Sequence, residues 1–146
     1  MCIRDSPQAE RTAQRYWSTL GSRAMTGEPF AIGPYADLLG VDGDALPPGA
    51  PSEAACRYVH RDWANYDPAA SPYPALVSAQ VDLSPGTWVV GIVNGRVAGM
   101  GPIFVDSRGI ARVDVMVDQG AVRPGSNQVE LAVVGADGSA RVLACE

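Results

Sequence analysis

The stretch that decides the fold is Thr87-Trp88-Val89-Val90-Gly91-Ile92-Val93-Asn94-Gly95-Arg96-Val97-Ala98-Gly99-Met100. From Thr87 to Val93 both faces of an extended chain are apolar, with Trp88, Val90 and Ile92 opposing Val89 and Val93, which predicts a central strand covered on both sides. Asn94-Gly95 follows at once, and this pair tolerates the positive φ angles of a two-residue type I′ turn, so the chain reverses into a hairpin. Working outward, Leu76 to Leu83 places Val77, Ala79, Val81 and Leu83 on one face and Ser78, Gln80 and Asp82 on the other, the period-2 pattern of a half-buried strand. Ser84-Pro85-Gly86 turns the chain between these two strands.

Beyond the hairpin, Gly101-Pro102 is expected to interrupt the ladder before Ile103 to Val105, because proline has no N–H to donate; a bulge or a change of sheet is expected there. Ile110 to Val117 alternates again, with Ala111, Val113, Val115 and Val117 inward and Arg112 and Asp114 outward. Arg123-Pro124-Gly125 suits a type II turn, Gln128 to Val134 buries Val129, Leu131 and Val133, and Asp137-Gly138 turns into Arg141 to Cys145. About six strands joined by turn chemistry predict a mainly β protein, an antiparallel β-sandwich with a loop-rich, partly helical N-terminal arm.

The arm spans residues 7–74 and the sandwich module 75–146. Residues from Pro7 to Met25 fit either a helical face carrying Ala9, Ala13, Tyr16, Trp17 and Leu20, or an edge strand over Gln14 to Leu20. Between Thr26 and Pro74 prolines and glycines break any long element and leave short pieces such as Pro34 to Leu39, with Pro34 at the start of a helical turn and Gly40 closing it. Met1 to Ser6 resembles translated sequencing-adapter read-through at the start of truncated metagenomic frames, so these six residues are an expected artefactual leader and the natural protein is expected to begin further upstream.

The 146 residues fit one globular domain. The formal net charge of -5, with 11 basic residues that are all arginine, argues against a nucleic-acid partner, whose affinity comes from clustered cations. An arginine-only basic set beside abundant alanine, glycine, valine and proline matches a high-GC bacterial coding bias. No apolar run reaches membrane-spanning length and no signal-peptide pattern is present, so no membrane contact by this fragment is expected. Cys2, Cys56 and Cys145 show no C-x-x-C spacing, which gives no support to a zinc site; Cys56 and Cys145 can form a disulfide in an oxidising compartment or remain two buried thiols.

Chemistry-bearing groups are few. His60, the single histidine, lies near Asp62, Asp67 and Glu53 and could form an acid–base pair, but a triad also needs a nucleophile on a strained turn and no G-x-S-x-G is present. The plainer expectation is a loop histidine bonded to a backbone carbonyl. Asp42-Gly43-Asp44 with Glu53 imitates a calcium loop, yet Leu46 and Pro47 occupy its fifth and sixth positions, where a ligand and a sharp-turn glycine belong; turn-forming aspartates are the simpler reading. Tyr58, Trp63, Tyr66 and Tyr73 cluster in one loop-rich stretch and are the candidate ligand contacts, since exposed aromatic faces hold sugars; the competing expectation is that they plug the open end of the sandwich. Trp88 is expected in the core. Arg96, Arg108, Arg112 and Arg123 could gather as an anion site, or stand apart as solvated residues pairing with Asp106, Asp114 and Asp118. No catalytic residue, metal ligand or cofactor site is expected in the chain.

Two stretches resemble a known family. Phe30-Ala31-Ile32-Gly33-Pro34-Tyr35-Ala36-Asp37-Leu38-Leu39-Gly40 resembles an F-x-x-G-P-x-x-x-L-x-G motif that follows the catalytic core of bacterial membrane-anchored sulfatase-like proteins of the alkaline phosphatase superfamily. Leu76 to Val134, with Trp88, Asn94-Gly95-Arg96-Val97-Ala98 and Arg123-Pro124-Gly125-Ser126-Asn127-Gln128-Val129-Glu130, resembles their C-terminal β module. The resemblance implies a parent with N-terminal transmembrane helices, an extracytoplasmic hydrolase domain and then this module, whose role is to stabilise or cap that catalytic domain. The nucleophile motif of sulfatases, Cys-x-Pro-x-Arg or Ser-x-Pro-x-Arg, is missing, since Cys56 is followed by Arg57 and Tyr58, so no catalytic role carries over. The rival expectation is an independent carbohydrate-binding or adhesion sandwich that binds glycans through the Tyr58 to Tyr73 aromatics.

Overall fold

A computed structural model of the chain describes Phe30 and residues 33–50, 52–70, 76–118 and 120–146. The segment read as either helix or edge strand, the six-residue leader, Cys2 and Tyr73 lie outside the described residues. Among the described residues nine strands form in chain order: β1 (Cys56–Tyr58), β2 (Asn65–Tyr66), β3 (Leu76–Val81), β4 (Trp88–Val93), β5 (Arg96–Val105), β6 (Ala111–Met116), β7 (Gly125–Ser126), β8 (Val129–Val134) and β9 (Ala140–Val142). Seven make one antiparallel sheet in the order β1-β3-β6-β5-β4-β8-β9, and β2 pairs with β7 as a small separate ribbon. The protein is mainly β, as the alternating valines predict.

The large sheet curls, and its two halves face each other across one core. Val77, Ala79, Val113 and Val115 from the β3–β6 half pack in the same apolar cluster as Val89, Leu131 and Val133 from the β4–β8 half. All seven are at most 2% exposed. Burying a valine or leucine side chain contributes roughly 1.5–3 kcal/mol, which makes this face the main source of stability.

Strand β5 carries the curl. It runs unbroken through Gly101-Pro102, where an interruption was expected, and pairs with β4 from Arg96 to Pro102 while its far edge takes β6 only from Ile103 to Val105. Ile103 N–H bonds back toward the β4 side, to Thr87 O at 2.8 Å. Pro102, one residue earlier, therefore turns its missing donor to the opposite edge, where the β6 ladder has not yet begun, and nothing is lost. The change of partner falls where expected, but the bulge lies earlier: the register jumps from Gly91↔Gly99 to Ile92↔Val97, leaving Ala98 as the extra residue. Its carbonyl accepts from Asp118 N–H at 2.9 Å. At Gly99 the sheet folds so tightly that a Cβ would overlap the carbonyl oxygen of Met116, which only glycine avoids.

The second face of β4 and β8 is also buried, and the arm buries it. Val90, Ile92, Val97, Met100, Ala132 and Val134 form a second cluster, closed by Leu46 and by Tyr35, Leu38 and Val41. Two short 3-10 turns, Ala36–Leu38 and Gly43–Ala45, shape that cover. The first lies within the piece expected at Pro34 to Leu39. Backbone bonds fasten it: Gly40 N–H to Val97 O at 2.8 Å, Val97 N–H to Val41 O at 2.9 Å and Gly43 N–H to Gly95 O at 2.7 Å. Trp88 lies half-buried at the edge of this outer layer and not in the central core, with Gly33 directly against its indole.

At the other end of the core, Cys56 and Cys145 are joined as a disulfide. Glu146 N–H to Cys56 O at 3.0 Å and Tyr58 N–H to Glu146 O at 2.9 Å continue the connection, so the C-terminus is tied beside β1. Of the two alternatives left open by the sequence, the bonded one is realised.

Candidate functional site

The hairpin Asn94-Gly95 adopts the expected geometry, with φ of 50° at Asn94 and 84° at Gly95. Its side chain does more than permit the turn. Asn94 Nδ2 donates to Ala121 O and to Asn127 Oδ1, both at 2.9 Å, and Asn94 Oδ1 accepts from Gln128 N–H at 3.1 Å. Asn127 is 6% exposed, and its Nδ2 lies 2.8–3.0 Å from the carbonyls of Trp63, Arg123 and Gly125, while its Oδ1 also accepts from Arg123 N–H at 2.9 Å. A single buried amide therefore satisfies the backbone of two separate segments, the Trp63 loop and the loop before β7, and meets the Asn94 side chain of a third, as buried polar groups require.

This amide pair supports one wall of a cleft of about 550 Å³. Arg96, at the start of β5, and Arg123, from the loop before β7, line it together with Asn94 and Asp118, over an apolar floor that includes Leu39 and Val97. Of the four arginines considered from the sequence, the fold brings these two to one place. Arg112 instead stands on the outer face of β6, 3.7 Å from Asp114, and Arg108 sits in the β5–β6 turn, where its backbone N–H bonds Asp106 Oδ1 at 2.9 Å. That turn holds the Asp106 carboxyl below its ordinary pKa, chiefly through the Ile110 N–H.

The described aromatic candidates, Tyr58, Trp63 and Tyr66, turn inward. Trp63 is 5% exposed, which leaves no open indole face for a sugar. Tyr58 meets it edge-on at 5.1 Å, and Tyr66, half-buried on β2, packs against the same core. Tyr58 donates its hydroxyl to Val129 O at 3.0 Å, and Arg61 lies over its ring at 5.3 Å. Burial pushes the Tyr58 phenol up to about 12, the nearby Arg61 opposing and Glu130 adding to the shift. These rings pack with the core cluster that the curled sheet encloses.

His60 is exposed in the loop after β1. Asp42 caps the second 3-10 turn, its Oδ1 accepting from Asp44 N–H at 3.2 Å, so the Asp42–Asp44 segment acts as a turn former. Among the described residues no group of three or more His, Cys, Asp or Glu side chains is placed to hold a metal, and no helix is long and apolar enough to cross a membrane. Arg96 and Arg123 are two of the four arginines visible as charges in the sequence, but the Asn94–Asn127 bond beside them is not; both asparagines read as turn residues, and nothing in their spacing shows that they meet.

No family model matches the chain, and no curated protein or solved structure matches it.

Proposed function

We propose that this chain is the non-catalytic C-terminal accessory module of a bacterial membrane-anchored sulfatase-like hydrolase, acting on the extracytoplasmic side to stabilise or cap the parent's catalytic domain. The observation that carries this reading is the packing of the two family-like stretches on each other. Gly33, in the first stretch, lies against Trp88 in the second, and the chain through Gly40 and Val41 bonds the Val97 backbone on both sides. The segment that would lead out of a catalytic core thus forms the outer layer of the β module and is not a free linker.

Two further features fit. A disulfide spanning 89 residues suits an oxidising compartment. The outer face of β3 and β6 exposes Leu76 and Met116 in register, apolar side chains of the kind a neighbouring domain covers. The parent's catalytic domain is the occupant assigned to it. Recovering the contiguous coding sequence upstream of Pro7 tests the reading: a sulfatase-like core is expected, and a frame without one overturns it.

A further inference from the structure

The cleft beside the β4–β5 hairpin has the size of a small-molecule site, about 550 Å³. Its rim and floor differ in character. Leu39, Val93, Val97 and Ala98 are apolar, whereas Arg96 and Arg123, two exposed arginines from different segments, line the same opening. Neither forms an ion pair with a carboxylate among the described residues, unlike Arg112 with Asp114. Asp118 supplies one carboxylate to the lining and uses Oδ1 to accept Gly120 N–H at 2.9 Å. Two cations against one anion leave the opening positive in a chain of formal charge -5.

Both arginines stand on fixed backbone. Asn127 brackets Arg123, accepting from its N–H at 2.9 Å and donating to its carbonyl at 2.8 Å. Arg96 is held between Val93 on β4 and a bridge to Asp42 on its other edge. Ordering a planar, permanently charged fork on rigid backbone lowers the entropy lost when it grips an oxyanion, and charge-assisted bonds of this type are the strong ones.

We infer that this cleft binds a small organic molecule through a carboxylate, phosphate or sulfate group held by Arg96 and Arg123, with the molecule's less polar body against the Leu39 and Val97 floor. The inference stands apart from the accessory-module reading, because it concerns this chain alone.

The test is an amide-resolved NMR titration of the full 146-residue chain with glucuronate, glucose 6-phosphate, glucose 6-sulfate and uncharged glucose. Saturable shifts are expected at Asn94 to Val97 and Gly120 to Arg123 with at least one anion and not with glucose, and the tightest anion identifies the group recognised. Arg96→Gln with Arg123→Gln is expected to weaken binding roughly tenfold or more while distant amides keep their positions. Each single substitution serves as the folded control should the double variant lose structure, and each is expected to weaken binding by a smaller factor. No saturation with any of the three anions overturns the inference. So does affinity that survives removal of both arginines, or shifts that spread over the whole surface and follow ionic strength alone.

Discussion

Asn94 and Asn127, 33 residues apart, share a hydrogen bond of 2.9 Å between Nδ2 and Oδ1, and through it the β4–β5 hairpin and the loop before β8 become one unit. Asn127→Ala would leave the carbonyls of Trp63, Arg123 and Gly125 without this donor, the first in a buried bond and the other two in partly buried ones. The expected cost is about 3 kcal/mol, against about 1–2 kcal/mol for the more exposed Asn94→Ala. Urea unfolding of both single variants and the double variant checks this. Because the residues touch, the two losses should fall short of additivity by more than about 0.5 kcal/mol, and strict additivity would show that the bond does not couple the segments.

The Cys56–Cys145 disulfide closes a separation of 89 residues and ties the C-terminus to β1. In the chain-entropy account a loop of this length contributes about 4–5 kcal/mol by restricting the unfolded chain. Replacing both cysteines by alanine, or unfolding under reducing conditions, is expected to lower stability by about 3–5 kcal/mol. Equal unfolding midpoints with and without reductant would contradict the assigned connection.

The strands were legible in the sequence where a local rule and the tertiary environment agree. Period-2 burial in β3 and β6, the two-sided apolar run of β4 and the Asn94-Gly95 reversal all follow from residues within a few positions of one another. What the sequence did not show depends on distant partners. Pro102 reads as a break because its missing donor is visible and the edge it faces is not. The cover over Val90 and Ile92 comes from Tyr35, Leu38 and Leu46, in a stretch whose prolines and glycines obscure any periodicity. At the candidate site, Arg96 and Arg123 are evident as charges, but their convergence rests on two asparagines that look like ordinary turn formers.

Gly99 tests the corner of the sheet. Gly99→Ala places a methyl group into the Met116 carbonyl, a backbone atom that cannot rotate away. A loss above roughly 3 kcal/mol, or failure to fold, is expected. Gly86→Ala is the comparison: its φ is +84° but nothing lies within 4 Å of the added carbon, so the cost should be only about 1 kcal/mol from backbone strain. If thermal unfolding ranks the two variants in the opposite order, the tight β5–β6 approach is misplaced.

Tyr58 sets the alkaline limit. Its phenol is raised from 10.0 to about 12, chiefly by burial, so between these values the unfolded chain has released this proton while the folded chain still holds it. The folded state then binds more protons, and stability must fall as pH rises through that window; the contribution is complete below pH 10 and lost above pH 12. Two pH units at full effect amount to about 2.7 kcal/mol, and solvent screening of a half-buried group brings this to roughly 1 kcal/mol. The chain contains no lysine, and arginine keeps its charge throughout this range, which leaves tyrosine as the main ionisation there. Tyr58→Phe removes the hydroxyl that donates to Val129 O at 3.0 Å and is expected to be less stable at pH 8 but flatter between pH 9.5 and 12. Urea midpoints measured across that range decide the matter, since an alkaline decline as steep in the phenylalanine variant as in the parent chain would assign the effect to another group.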